Sequence, residues 1–331
     1  MERKFKIKKK STNKIRIATY NILGQCLVKY HKEKHVNPKI YEWNYRFNKI
    51  KNEVIKYSPD IFCFQEVQNN LFYNSISPTF RKGKYFGLFV PQKTHKKDTR
   101  LNKCNGDIGV SVFFRTTKYN LIDFHTFNYL DHAKKYLKKS NNLKFLDRIN
   151  RRFSCLIMIF EEIKTSKKFL FSTVHLESSP LYEDVKNFQM YILLQHIQMM
   201  TKNKMPVIIA GDFNSRRNSS TYVGMITGNS INKYNQERLH NKNKEFIKTP
   251  KNFTEINFKS AYKSIFGKEP KYTNYTKQFK DTLDYIFVND KIRVIGALQE
   301  IEPQKLERYR LLPNNQLPSD HIIQVADIEL K

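Results

Sequence analysis

Cysteine is scarce in this chain. Cys26, Cys63, Cys104 and Cys155 are the four, with no C-x-x-C pair among 331 positions. That scatter excludes a structural zinc cluster and a dense disulfide scaffold, and it suits a reducing compartment. Long apolar runs are missing too. Stretches such as Cys155–Phe160 fall far below the ~18 residues that would span a bilayer. The basic start MERKFKIKKK has no apolar segment behind it, unlike a secretory signal. No Gly/Ser-rich or Pro-rich linker divides the chain, and no repeat stands out. Acidic residues are few, 30 against 60 basic ones, for a formal charge of +30. Aromatics, in contrast, are plentiful, with 25 Phe and 19 Tyr. A disordered chain of such charge would lack them. A chain of this length buries roughly three quarters of its unfolded surface and needs no staples.

The surplus of positive charge suits a polyanionic partner, nucleic acid or an acidic membrane face. A gene-wide bias towards Lys, Asn and Ile would produce the same charge without any binding role. Residues 1–14 read as a flexible basic arm and residues 15–331 as a single domain. Two helices are expected. At Tyr41–Tyr57 the residues Trp43, Phe47, Ile50, Val54 and Tyr57 form one apolar stripe, stopped by Ser58-Pro59. At Leu181–Met200 the buried side is expected at Leu181, Val185, Phe188, Ile192 and Met199, with Pro180 at the start. The Lys/Asn-rich stretches around Tyr129–Arg152 and Arg216–Asn252 read as long loops with helical patches. Strands are expected at Ile15–Leu23, Asp60–Val67, Gly109–Arg115, Cys155–Glu161, Phe169–Leu176, Val207–Asp212, Leu283–Val288 and Ile322–Leu330.

Several of these strands finish or begin in polar residues that a core would not select. Ile15–Tyr20 runs into Asn21, Ile61–Phe64 into Gln65 and Glu66, Phe169–Val174 into His175, and Val207–Gly211 into Asp212 and Asn214. Asp284 precedes Tyr285–Val288, and Asp320-His321 precedes Ile322-Ile323. Antiparallel neighbours bring strand ends and strand starts to one edge. A single rim carrying carboxylates, amides and two histidines is therefore expected. Carboxylates without thiolates suit a hard divalent cation, Mg²⁺ or Mn²⁺, and a cation offsets their mutual repulsion. Histidine adds proton transfer or positive charge for a phosphate oxygen. These are the parts for water attacking a phosphodiester. Taken singly, each residue has a plainer explanation: Asp as a turn residue, Asn21 as a cap, His175 as a satisfied core histidine, Glu66 as an exposed strand end.

The motifs TYNILGQ (19–25), FQEV (64–67), TVHL (173–176), GDFNS (211–215), TLDYIF (282–287) and PSDH (318–321) resemble, in order, those of the endonuclease/exonuclease/phosphatase superfamily. WNYRFNKI (43–50) and EPKYTNYTKQFKDTLDYIF (269–287) are most similar to its carbon-catabolite-repressor-type deadenylases and their nocturnin and angel relatives. No leucine-rich repeat precedes these motifs, so a stand-alone nuclease unit is expected. The segment 105–109 departs from the family's usual turn, and the Lys/Asn-rich loops match it poorly.

The resemblance implies a two-sheet α/β sandwich and a 3′→5′ exoribonuclease that shortens poly(A) tails with Mg²⁺ or Mn²⁺, two ions in all. It implies Glu66 as the principal metal ligand with Asn21 beside it. Asp212 would orient or deprotonate water, and Asn214 would hold the phosphate or nucleotide. His175 and His321 would stabilise the transition state, while Asp284 and Asp320 would orient a histidine or help hold a second metal. Phe279 and Pro180 would pack against an adenine base; their plainer roles are core packing and helix initiation. Rival substrates within the fold are 2′–5′ oligoadenylate, an RNA 2′,3′-cyclic phosphate and a nicotinamide dinucleotide 2′-phosphate. Rivals of other classes are a non-catalytic RNA-binding scaffold and a lipid-headgroup phosphatase. The expected partner is single-stranded RNA, with no membrane role; docking surfaces for a deadenylase complex are not legible. The expected location is cytoplasmic, with the nucleus as the alternative.

Overall fold

The computed structural model describes residues 3–32, 37–92, 108–137, 143–149, 154–231, 246–308 and 311–331. Its strands are β1 (Phe5–Ile7), β2 (Ile15–Asn21), β3 (Ile61–Gln68), β4 (Tyr85–Gln92), β5 (Ile108–Arg115), β6 (Tyr119–Asn128), β7 (Ser154–Glu162), β8 (Lys168–His175), β9 (Val207–Asp212), β10 (Phe258–Ser260), β11 (Asn274–Tyr275), β12 (Lys280–Asp281), β13 (Asp284–Asn289), β14 (Ile292–Leu298) and β15 (Gln324–Leu330). One sheet runs β1-β14-β15-β2-β3-β5-β4, the other β10-β13-β9-β8-β7-β6, and β11 with β12 makes a small hairpin.

Period-two alternation explains why two sheets stack. On β2, Ile15 and Ile17 pack in the central cluster with Phe169 and Phe171 of β8, Ile208 and Ala210 of β9, and Ile286 and Val288 of β13. The alternate residues Ala18 and Tyr20 pack outward, against Phe47, Ile50 and Val54 of helix 43–57. Leu170 and Val174 of β8 pack outward on the other side, against Val185, Phe188 and Leu193 of helix 183–201. The result is the expected α/β sandwich, with helices over both outer faces.

Helix Trp43–Tyr57 ends where Ser58 turns left-handed at φ 48° and returns its N–H to the Val54 carbonyl at 2.8 Å. The second helix, Glu183–Thr201, begins later than expected. Leu181 lies before it and is exposed, and Met199 is exposed within it. The buried stripe passes instead through Leu193, Ile197 and Thr201. The arm expected at residues 1–14 is partly strand: Phe5–Ile7 pairs antiparallel with Gly296–Leu298. The buried Arg3 anchors it through the Ile323 carbonyl at 2.9 Å. The Lys/Asn-rich stretches contain helices Tyr129–Tyr136, Leu143–Ile149 and Ser220–Thr227; residues 138–142, 150–153 and 232–245 lie outside the described residues, as do 105–107. Cys63 and Cys155 are buried free thiols.

Between β8 and β9 the backbones approach so closely that only glycine fits at 211. Its φ is +155°, and a Cβ there would lie 2.1 Å from the Val174 carbonyl oxygen. Gly211→Ala is expected to destabilise the fold by about 2–4 kcal/mol. Urea unfolding checks this; an unchanged midpoint would contradict the packing of these two strands.

Candidate active site at the polar edge of the sandwich

The inward-facing positions grade from apolar to polar along several strands. They read Ile15, Ile17, Thr19, Asn21 on β2; Phe169, Phe171, Thr173, His175 on β8; and Ile208, Ala210, Asp212 on β9. Pairing sets the polar ends side by side. Asp212 lies opposite Asp284 across the antiparallel β9–β13 pair and opposite His175 across the parallel β8–β9 pair. Beneath them the buried Gln65 amide donates to Thr19 and Thr173 hydroxyls, each at 3.2 Å, joining the two sheets.

Glu66 reaches this edge by a different route. Strict alternation would place it outward with Phe62 and Phe64. A bulge between Phe64 and Val67, with Glu66 left-handed at φ 60°, turns it towards the rim instead. Its carboxylate accepts the Gly24 N–H at 2.9 Å and the Asn21 amide at 3.1 Å. The same Asn21 amide donates to Asp212 Oδ2 at 3.0 Å, while Asn21 Oδ1 accepts the Leu23 N–H at 3.0 Å. Asn21 thus bridges two carboxylates through its nitrogen.

Asp212 is the hub. Its Oδ1 accepts the Asn214 N–H at 2.8 Å. Its Oδ2 lies 3.8 Å from His175 Nε2 and 3.6 Å from His321 Nε2. His321 Nδ1 bonds Asp284 Oδ2 at 2.8 Å. Asn214 is left-handed at φ 46°, and its amide donates to the Leu176 carbonyl at 2.9 Å, so here it fastens the turn. Asp320 accepts from Asn274 at 3.2 Å and from Ser319 at 3.3 Å, with His31 at 4.0 Å. Asp284, then, is the carboxylate bonded to His321, and Asp320 buttresses the hairpin beside it.

Pro180 and Phe279 lie outside this hydrogen-bonded group. Pro180 is exposed on the turn before helix 183–201. Phe279 is half-buried in the turn joining β11 to β12, with the Arg216 guanidinium 5.0 Å from its ring centre. That hairpin is tied to the site by the Tyr275 N–H donating to the Asp320 carbonyl at 3.0 Å.

Two buried cations were missed by sequence reasoning. Arg46 donates to the carbonyls of Ile22, Leu23 and Pro318 and to Gln25, binding the loops after β2 and before His321. Burial pulls it down to about 10, which leaves it charged at neutral pH. Lys186 donates to the Asn214 carbonyl at 2.8 Å. Burial pulls it down to about 8, with Glu177, Glu183 and Asp212 opposing. Both signals were present: Arg46 interrupts the apolar stripe of its helix, and Lys186 shares a face with Met190, Leu193 and Ile197.

The donor set fits a hard divalent cation. Atoms of Asp212, Asp284 and His321 lie within 4.8 Å of one another. Asp284 Oδ1 and His175 Nδ1 are buried without a hydrogen-bond partner among the described residues, as groups awaiting a cation or an anionic substrate would be. The oxygen-rich set with no thiolate suits Mg²⁺ or Mn²⁺.

Residues 18–321 match the endonuclease/exonuclease/phosphatase family. The chain belongs to this family. Among curated proteins, it is 31% identical to the CCR4-Not complex 3′-5′-exoribonuclease subunit Ccr4 of Saccharomyces cerevisiae, over 94% of this chain and 39% of the yeast protein. It is 29% identical to a probable Ccr4 subunit of Vairimorpha ceranae, over 95% of this chain and 63% of that protein. The chain therefore spans less than two thirds of these relatives. Its fold is that of the human nocturnin catalytic domain, with TM-score 0.70 and 23% identity over 99% of this chain and 98% of that one. It is also that of ANGEL2, a 2′,3′-cyclic phosphatase, with TM-score 0.81 and 20% identity over 100% and 99%. Family membership carries metal dependence with it, and Asp212, Asp284 and His321 form a group of a kind that could hold a metal.

His321 and Asp284 form a buried, hydrogen-bonded acid–base pair. Burial pushes the Asp284 carboxyl up to about 6, with His321 pulling it back. Burial alone would lower His321, but Asp284, Asp212 and Asp320 outweigh it and hold the imidazole well above its usual value. A raised histidine stabilises the fold fully below its unfolded value near pH 6.5, and this contribution is lost as pH rises through the folded value. In the metal-free protein, His321→Gln is expected to flatten the alkaline loss of stability. Denaturant midpoints between about pH 6 and 10 check this; an unchanged slope would place the proton elsewhere.

Proposed function

We propose that this chain is a divalent-metal-dependent 3′→5′ exoribonuclease that removes adenylates from RNA tails. The convergence of Glu66, Asp212, Asp284, His175 and His321 on one edge carries the hydrolytic part of this reading. The similarity to Ccr4 subunits over 94% of the chain supports the RNA part. Glu66, Asp212 and Asp284 would hold Mg²⁺ or Mn²⁺, two ions in the full reading, and the metal would supply a Lewis acid for the phosphate.

The protein's own groups have separable tasks. Asp212, with one oxygen fixed by the Asn214 N–H, orients and deprotonates the attacking water. His321, kept protonated by Asp284, meets negative charge building on the phosphate oxygens. His175, whose Nδ1 has no hydrogen-bond partner among the described residues, offers a second contact there. Phe279 offers a ring face to a base, and stacking of this kind is worth about 1–3 kcal/mol. Pro180, exposed near the start of helix 183–201, is the weaker of the two base contacts. The positive surplus holds the single-stranded backbone and makes binding salt-dependent. No described helix is long and apolar enough to cross a membrane. A cytoplasmic place in mRNA decay belongs to the same proposal.

Product analysis tests the reading. Purified protein and Mg²⁺ with 5′-labelled, A-tailed RNA should give a ladder retreating to the tail boundary. Loss of a terminal phosphate alone would contradict it and favour a phosphatase reaction, the activity named for ANGEL2. Phe279→Ala should narrow the preference for poly(A) over poly(U) and poly(C) by about tenfold. An identical ranking and spread would remove Phe279 from base recognition.

A further inference from the structure

Helices 129–136 and 183–201 pack together on the outer face of the six-stranded sheet, and each turns a histidine towards the other. His132 Nε2 and His196 Nε2 are 3.2 Å apart, with ring planes at 88°. Phe127 stacks on His196 at 4.2 Å and 19°, and meets His132 edge-on at 4.9 Å. The pair is remote from the polar edge: His196 stands ten residues beyond Lys186 on one helix, roughly 15 Å along its axis.

Two neutral imidazoles at this distance are joined by an N–H···N bond, or they are two ligand atoms for one ion. The separation fits the second arrangement as well as the first. Zinc sits about 2.05 Å from an imidazole nitrogen. An ion that far from both nitrogens would see them about 103° apart, close to the tetrahedral angle. The rings are also in the correct charge state, since a bound imidazole must be unprotonated. Burial, helped by Lys135, lowers His132. Burial, then His132, His125 and Lys135, pushes His196 down to about 4. The Phe127 ring against both imidazoles limits their rotation, so little entropy is left to lose on binding. Nitrogen donors favour Zn²⁺, Cu²⁺ or Ni²⁺ over Mg²⁺, whereas the carboxylate-rich edge favours Mg²⁺ or Mn²⁺.

We propose that His132 and His196 form a second cation site, binding a d-block divalent ion such as Zn²⁺ through two imidazole nitrogens with water completing its coordination. The ion cross-ties the two helices that cover the six-stranded sheet, and it is independent of the reaction at the polar edge.

The test is calorimetric titration of zinc chloride into the full chain with Mg²⁺ saturating. Zinc should bind at one equivalent, and His132→Gln and His196→Gln should each weaken binding by about tenfold or more. His132→Gln should leave Mg²⁺-dependent RNA hydrolysis unchanged. Unaltered zinc affinity in both variants, or no zinc binding by the parent protein, would overturn the proposal. A readout on the parent alone guards against variants that fail to fold. Zinc should shield His132 and His196 from diethyl pyrocarbonate, as read by peptide mass mapping. Equal labelling with and without zinc would show an ordinary hydrogen-bonded pair.

Discussion

Glu66, Asp212 and Asp284 are gathered at the polar edge of the sandwich, and like charges in so small a space repel. Two of them, Asp212 and Asp284, are almost wholly buried, where water cannot screen the repulsion. The surrounding structure reads as the answer to that problem. The Asn21 amide stands between Glu66 and Asp212. The Gly24 and Asn214 N–H groups each take one carboxylate oxygen. His321 carries the positive charge nearest Asp284. What these groups leave unbalanced is the driving force for taking up a divalent cation.

The scaffold behind the edge supplies rigidity and further positive charge. Arg46 and Lys186 are cations whose hydrogen bonds go chiefly to main-chain carbonyls, so their charge is not cancelled by a paired carboxylate within those bonds. Each fixes a loop that carries a site residue: Arg46 the Ile22–Leu23 and Pro318 segments, Lys186 the Asn214 turn. A low-dielectric wall with fixed donors behind an anionic substrate is how a hydrolase stabilises added negative charge without reorganising. The Gln65 amide joins the sheets just beneath, so the two halves of the edge cannot slide apart without breaking buried hydrogen bonds.

The fold class and most of the edge were legible because strand alternation has only two phases. Once Ile15 and Ile17 are known to face inward, Thr19 and Asn21 must follow; the same holds for Phe169 to His175 and for Ile208 to Asp212. Glu66 was legible as a polar strand end, but its direction was not, since a bulge with a left-handed residue reverses the phase. Seven strands escaped notice, β1, β4, β6, β10, β11, β12 and β14, and for four of them the local reason is plain. β4 contains Gly87 and Pro91, and β14 contains Gly296 beside a register shift. β6 is an edge strand with most of its residues exposed, so no buried alternation marks it. β1 hides Phe5 and Ile7 in a run of lysines. The hydrogen-bond partners of Asn21 and Asn214 escaped as well, because a sequence places an amide without showing which end of it faces which neighbour.

The central claim is that one cation is held jointly by side chains from both sheets. Anomalous diffraction from crystals soaked in Mn²⁺ tests it most directly. The account predicts a peak about 2.2 Å from a carboxylate oxygen of Glu66 on β3 and within coordinating reach of Asp212 or Asp284 on the opposite sheet. A strong peak confined to other acidic residues, with this edge empty at saturating Mn²⁺, would contradict it.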